Sequence, residues 1–139
     1  MTDELNFKTD SSFKSVTYDK DADSWYFVFS DNIVFNTQTI WRLLDNRKIK
    51  LVSLDNGHQF GLTEPIDLVE KLNEILIGKH LLEIKVKQNT ADLQLTLTDN
   101  LQIEILITSS GYESYQFLLE KKNYIGMGSG EISIYENKV

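Results

Sequence analysis

From Phe13 to Asn36 apolar and polar residues alternate, and from Leu81 to Glu104 they alternate again in the same order. Laid over one another without a gap, at an offset of 68 residues, the stretches match Val16 with Ile84, Tyr18 with Val86, Trp25 with Leu93, Phe27 with Leu95, Phe29 with Leu97, Ile33 with Leu101 and Phe35 with Ile103. A period of two is what a strand with one face in a core and one in water requires. The pattern predicts strands near 13–18, 25–30 and 33–38, with counterparts near 81–87, 92–98 and 101–107. Each copy thus begins as a three-stranded meander.

Residues opposed across an antiparallel ladder share a face, so Trp25, Phe27 and Phe29 join Ile33 and Phe35 in one core only if Phe29 opposes Ile33. That leaves Ser30-Asp31-Asn32 as a three-residue loop, expected as a type I turn followed by a left-handed Asn. Thr98-Asp99-Asn100 repeats it, with Asn100 in the same role. Farther on, Ile40-Trp41-Arg42-Leu43-Leu44 resembles Ser114-Tyr115-Gln116-Phe117-Leu118, with about six residues, Ile107 to Tyr112, inserted in the second copy. These are read as fourth strands, Lys48–Ser53 and Asn123–Met127 as fifth strands, and Glu131–Tyr135 as a last one.

One helix is expected, over about 65–77. Pro65 suits a first turn, Glu64 and Asp67 favour its positive end, Ile66, Val69, Leu72, Ile75 and Leu76 recur at helical spacing, and Gly78 stops it. The fold class that results is α+β and mostly antiparallel β. Residues 1–139 are read as a single domain of two tandem β-meander repeats, about 13–60 and 81–135, with about 9–11 strands in all. The helix joins the copies. The second copy has no helix of its own, so the duplication is read as incomplete.

Composition narrows the function. An apolar fraction of 41% and a charged fraction of 25% suit a globular core. Zero cysteines remove disulfides, thiolate nucleophiles and Cys-based metal sites, and suit a reducing compartment. The stretch from Met1 to Asn6 has no basic or apolar signal region, and no apolar run spans a bilayer, so the expected address is the cytoplasm, away from membranes. The net charge of −7 opposes contact with a phosphate backbone, so nucleic acid is not expected as a ligand. It favours encounter with a basic protein.

Asp19-Lys20-Asp21-Ala22-Asp23-Ser24 has the alternate carboxylates of a calcium loop, but Ser24 and Ser30 stand where such a loop needs Gly and Glu. A solvated hairpin loop is the reading. Gly126-Met127-Gly128-Ser129-Gly130 leads into an alternating segment rather than a helix, so it reads as a flexible hairpin connection and not a phosphate cradle. His58 falls on a turn, His80 follows the helix, and neither completes a metal or nucleophile motif. Trp25, Phe27 and Phe29 are read as core; Trp41 beside Arg42, and Tyr112 near Tyr115, are divided between core and contact surface. No catalytic residue, metal or cofactor is expected, and the chain is read as not an enzyme.

Asp92-Leu93-Gln94-Leu95-Thr96-Leu97, Thr98-Asp99-Asn100-Leu101 and Gly111-Tyr112-Glu113-Ser114-Tyr115 resemble recurring segments of a small bacterial family of unknown function. In that family the last segment ends in Trp rather than Tyr115, and an upstream Trp-Arg-Leu is similar to Trp41-Arg42-Leu43. Families of this kind occur beside toxin genes. The resemblance implies an immunity protein, a non-catalytic binder that neutralises a cognate toxin. Asp19, Asp21, Asp23, Tyr112 and Glu113, in segments not shared between the copies, are the expected contact residues. The alternatives are a small-molecule or enzymatic domain, with a cleft gathering Trp41, Arg42, His58, Tyr112 and Glu113, and an assembly subunit that forms homodimers through exposed edge strands.

Overall fold

A computed structural model of the chain describes residues 4–136. Met1–Asp3, part of the stretch read for a targeting signal, lie outside the described residues, as do 137–139. Eleven strands occur among the described residues: β1 (Leu5–Asp19), β2 (Ser24–Phe29), β3 (Val34–Thr37), β4 (Trp41–Asp45), β5 (Lys48–Val52), β6 (His80–Val86), β7 (Leu93–Leu97), β8 (Leu101–Ile105), β9 (Tyr115–Leu119), β10 (Lys122–Gly126) and β11 (Ile132–Glu136). One helix, α1 (Leu68–Leu76), stands between β5 and β6. The strands form one antiparallel sheet in the order β11-β10-β9-β3-β2-β1-β6-β7-β8-β4-β5, an α+β arrangement dominated by β structure.

β1 stands at the centre and serves two arms. Its second half pairs with β2, Val16 opposite Phe27, and its first half pairs with β6, Phe7 opposite Ile84. Register shifts between Lys8 and Ser11 and between Phe13 and Ser15 bend the strand from one arm into the other, as bulges do. Arm one is β2, β3, β9, β10 and β11; arm two is β6, β7, β8, β4 and β5. Their inner faces meet. Trp41 of arm two stands T-shaped to Trp25 and Phe27 of arm one, at 5.0 and 5.7 Å, and Phe7 contacts Tyr124 at 5.3 Å. Among the described residues the buried Trp41 indole N–H has no hydrogen-bond partner.

Both three-stranded meanders form, but the next hairpins do not stay with them. After Thr37 the chain crosses to the opposite arm, where β4 pairs with β8, Leu43 opposite Ile103; after Ile105 it crosses back, where β9 pairs with β3, Phe117 opposite Phe35. The crossing has a packing reason. It lays Trp41 onto Trp25 and Phe27 from above, burying all three, whereas an edge-to-edge neighbour would leave that face open.

The turns carry left-handed residues in pairs. The loops Asn46-Arg47 (φ 51° and 69°) and Glu120-Lys121 (φ 50° and 65°) close the β4–β5 and β9–β10 hairpins in the mirror-image geometry that matches strand twist. Phe29 does oppose Ile33, with its N–H donating to the Ile33 carbonyl at 2.9 Å. The expected type I turn is corrected: Asp31 and Asn32 are both left-handed (63° and 60°), as are Asp99 and Asn100 (62° and 61°).

The helix is shorter than expected and starts later. Pro65 precedes it; Asp67 is the N-cap, accepting from the Glu70 N–H at 3.2 Å, and Leu68 N–H donates to Asn56 Oδ1 at 3.0 Å. Leu68, Leu72 and Leu76 are buried, and Gly78 at φ 79° ends the helix. On the same element Asn73 seals the open edge of β1. Val16 N–H donates to Asn73 Oδ1, and Asn73 Nδ2 donates to the Val16 carbonyl, both at 3.0 Å, as a partner strand would.

Candidate binding surface

Arm one ends in a row of opposed residues, Trp25, Thr37, Tyr115 and Gly126, and arm two in Val86, Leu93, Ile105 and Trp41. Beyond these rows project the loops 20–23, 38–40, 87–92, 106–114 and 127–131. They are tied together. Gln38 Nε2 donates to the Ala22 carbonyl at 2.9 Å, Ile107 N–H to Asp92 Oδ1 at 2.9 Å, and Tyr115 OH to the Ala91 carbonyl at 2.7 Å. Burial, with the Asp92 carboxylate adding to it, holds the Tyr115 phenol far above its ordinary value. Two segments singled out in the sequence, those beginning at Asp92 and ending at Tyr115, thus act on architecture.

The glycine-rich segment is a connection between β10 and β11, but a closely packed one. A Cβ on Gly126 would fall 2.3 Å from the Tyr115 ring, and one on Gly130 would fall 2.0 Å from the Asn89 oxygen. Ser129 Oγ donates to the Ser110 carbonyl at 2.7 Å. Those glycines permit close approach of backbone and ring.

The expected contact residues lie on these loops, except Asp19, which ends β1. Asp19 Oδ1 accepts from the N–H groups of Asp21 and Ala22 at 3.1 and 3.3 Å, which makes it the organiser of the β1–β2 turn. Asp23, at φ 51°, accepts from Tyr18 OH at 2.6 Å, and that hydrogen bond, with burial and the nearby carboxylates, raises the Tyr18 phenol above its usual range. Asp21 is exposed. Tyr112 is 82% exposed, held out by Ser109 Oγ, which accepts from the N–H groups of Gly111 and Tyr112 at 3.1 and 2.9 Å. Glu113 is exposed and shares a small recess with Gln38, the residue that also holds Ala22. The two groups therefore flank Gln38 at one end of the sheet.

The cleft set does not converge. Trp41 is wholly buried, whereas Arg42 points to the other face of β4 and pairs with Glu104, its Nε 3.0 Å from Oε1. His58 lies exposed in the 53–67 connection, its ring stacked on Phe60 at 5.5 Å. A depression of about 650 Å³ lies elsewhere, between the Asn46-Arg47 and Asp99-Asn100 turns. Among the described residues no three His, Asp or Glu side chains converge as metal ligands, and no helix is long and apolar enough to cross a membrane.

Sequence reasoning missed the connection from β5 to α1. Leu54 (63% exposed), Phe60 (65%) and Leu62 (54%) all face solvent there. The available signal was three large apolar residues in a stretch with neither a helical nor a strand period. No protein-family model matches the chain, and no curated protein and no solved structure matches it either.

Proposed function

We propose that the protein binds a basic protein partner and occludes it without chemistry, in the manner of an immunity protein that neutralises a toxin. The observation that carries this reading is Tyr112, a large aromatic held out in solvent by Ser109, next to Glu113 and at the same sheet end as Asp19, Asp21 and Asp23. Tyrosine is enriched where binding energy concentrates, and carboxylates around it steer a cationic partner. The resemblance to toxin-associated families supports the same reading. The test is a stoichiometric complex with a basic protein from the host, its association rate measured against salt. A rate indifferent to ionic strength removes the electrostatic part, and a Tyr112→Ala, Glu113→Lys variant that binds as tightly as the parent removes the surface.

A second reading, self-association, is favoured by the outer face of arm one. There Tyr26, Val28, Val34, Asn36, Gln116, Leu118, Asn123 and Ile125 lie in two rows without a charged residue, whereas the matching face of arm two carries Lys8, Glu83, Lys85, Arg42 and Glu104. Sedimentation that gives a monomer up to high protein concentration rejects it.

We further infer that the arms are built from tandem copies of one unit. Pairings recur: Val16–Phe27 and Ile84–Leu95 are 68 residues apart, and Leu43 stands to Ile103 as Phe117 stands to Phe35, with the fourth strands 74 residues apart because of the insertion before β9. Related sequences whose halves align at another offset would refute it.

A further inference from the structure

The connection between β5 and α1 is built to present apolar side chains. Its base is clasped by two backbone hydrogen bonds, Gly57 N–H to the Ile66 carbonyl and Ile66 N–H to the His58 carbonyl, each 2.8 Å. Its tip is a tight turn in which Leu62 N–H donates to the Gln59 carbonyl and Gln59 Nε2 to the Leu62 carbonyl, both at 2.7 Å. Phe60 and Gly61 occupy the centre of that turn at φ 48° and 77°. A left-handed phenylalanine is uncommon, and here the conformation points the ring outward. The described residues include all seven phenylalanines; six are buried or half-buried, and Phe60 is exposed.

We infer that the loop 57–66 is the apolar anchor of the binding surface, and that its partner is a cationic protein offering an apolar socket to Phe60 and Leu62. This rests on the protein-binding reading above. Charge selects the occupant: between Lys50 and Lys71 the chain carries Asp55, Glu64, Asp67 and Glu70 and no lysine or arginine. Like charge excludes an acidic partner from that rim and opposite charge draws a basic one. Leu54 extends the surface toward the acidic β1–β2 turn, because it lines the same recess as Asp23 and Thr108. The clasp and the tip turn fix the backbone that carries the ring, so little backbone freedom is lost when it is buried.

The test uses the full chain with the photo-reactive residue p-benzoylphenylalanine at position 60, at 112 and, as control, at the exposed position 82 of β6, irradiated in host cells. The adduct partner is then purified and titrated with the unmodified chain, with Phe60→Ser/Leu62→Ser and with Asp55→Lys/Glu64→Lys. The expected result is a basic partner cross-linked from position 60. Its affinity falls roughly thirty-fold with the apolar double variant, the size of a hot-spot loss, at unchanged melting temperature. The charge variant slows association and weakens its salt dependence. Adducts from 112 but not 60, or full affinity without Phe60 and Leu62, overturn the anchor while leaving the protein-binding reading intact. An acidic partner, or a second copy of this chain, overturns the partner class. Absence of adducts from 60 and 112 overturns both readings.

Discussion

β1 and β6 are neighbours with the same difficulty, an edge of unpaired backbone facing inward, and they resolve it differently. β6 is covered along its length by the first half of β1, from Val86 opposite Leu5 to His80 opposite Ser12. The second half of β1 has turned away to meet β2, and its open edge is met at Val16 by one helix side chain, Asn73. One edge is closed by a ladder and the other by one amide that imitates a strand residue. The difference teaches where each is vulnerable: a ladder spreads its free energy over many backbone groups, while the amide concentrates it in one side chain.

The largest expected effect therefore comes from Asn73→Ala. It strips partners from the N–H and carbonyl of a buried residue and should cost about 3–4 kcal/mol in denaturant unfolding. Hydrogen exchange should show the Val16 amide losing protection before its neighbours; retained protection would mean the helix does not seal the strand. On the other edge Phe7→Ala should cost less, about 1–2 kcal/mol, because Phe7 is half-buried and the ladder survives its loss. If it proves worse than Asn73→Ala, the contrast is wrong. At the bend between the two halves Ser11 is fully buried, bonded to Asp31 Oδ2 at 3.1 Å and to Thr9 at 2.8 Å, and Ser11→Ala should cost about 1 kcal/mol.

The smallest effect separates the edges by pH. The Lys8 ammonium, bonded to Glu83 across the β1–β6 ladder, lowers that carboxyl below its ordinary range against the opposing pull of burial, with Asn6 adding to the lowering. A carboxyl lowered in the folded state contributes stability above its unfolded pKa, and that stability is lost as pH falls through the folded value. Lys8→Met should flatten the acid limb of the stability curve by under about 1 kcal/mol, since Lys8 is mostly exposed. Asn73→Ala should lower the whole curve without changing that limb. An unchanged acid limb in Lys8→Met would detach the ion pair from the ladder's stability.

Most of the strands were legible because their inward positions are apolar. The alternation marks β1 only from Phe13 because Thr9 and Ser11 occupy inward positions and interrupt it, although both find polar partners inside. Pro65 drew the helix start too early; the residue that sets it is Asp67, whose carboxylate competes for the first free N–H groups. Alternation shows which face a strand buries but not which strand lies beside it, so the crossing of β4 and β9 was invisible. At the candidate surface the exposure of Tyr112 depends on Ser109, three residues away, and the acids Asp19 and Asp23 turned out to shape their own turn. Phe60 escaped because an anchor on a loop has no period.

The crossing of the hairpins also governs how the protein is assembled in time. β3 waits for β9 and β4 for β8, so Val34 must find Leu118 and Trp41 must find Ile105 across long stretches of chain. Closing such distant loops costs entropy before any contact repays it, which places folding in the slow, milliseconds-to-seconds class of β proteins. During synthesis the first meander emerges early and keeps an unpaired β3 edge until residues 115–119 leave the ribosome. Arm two can close once β8 is available, whereas arm one waits for β9, and a chain interrupted before that point exposes the β3 edge that invites aggregation.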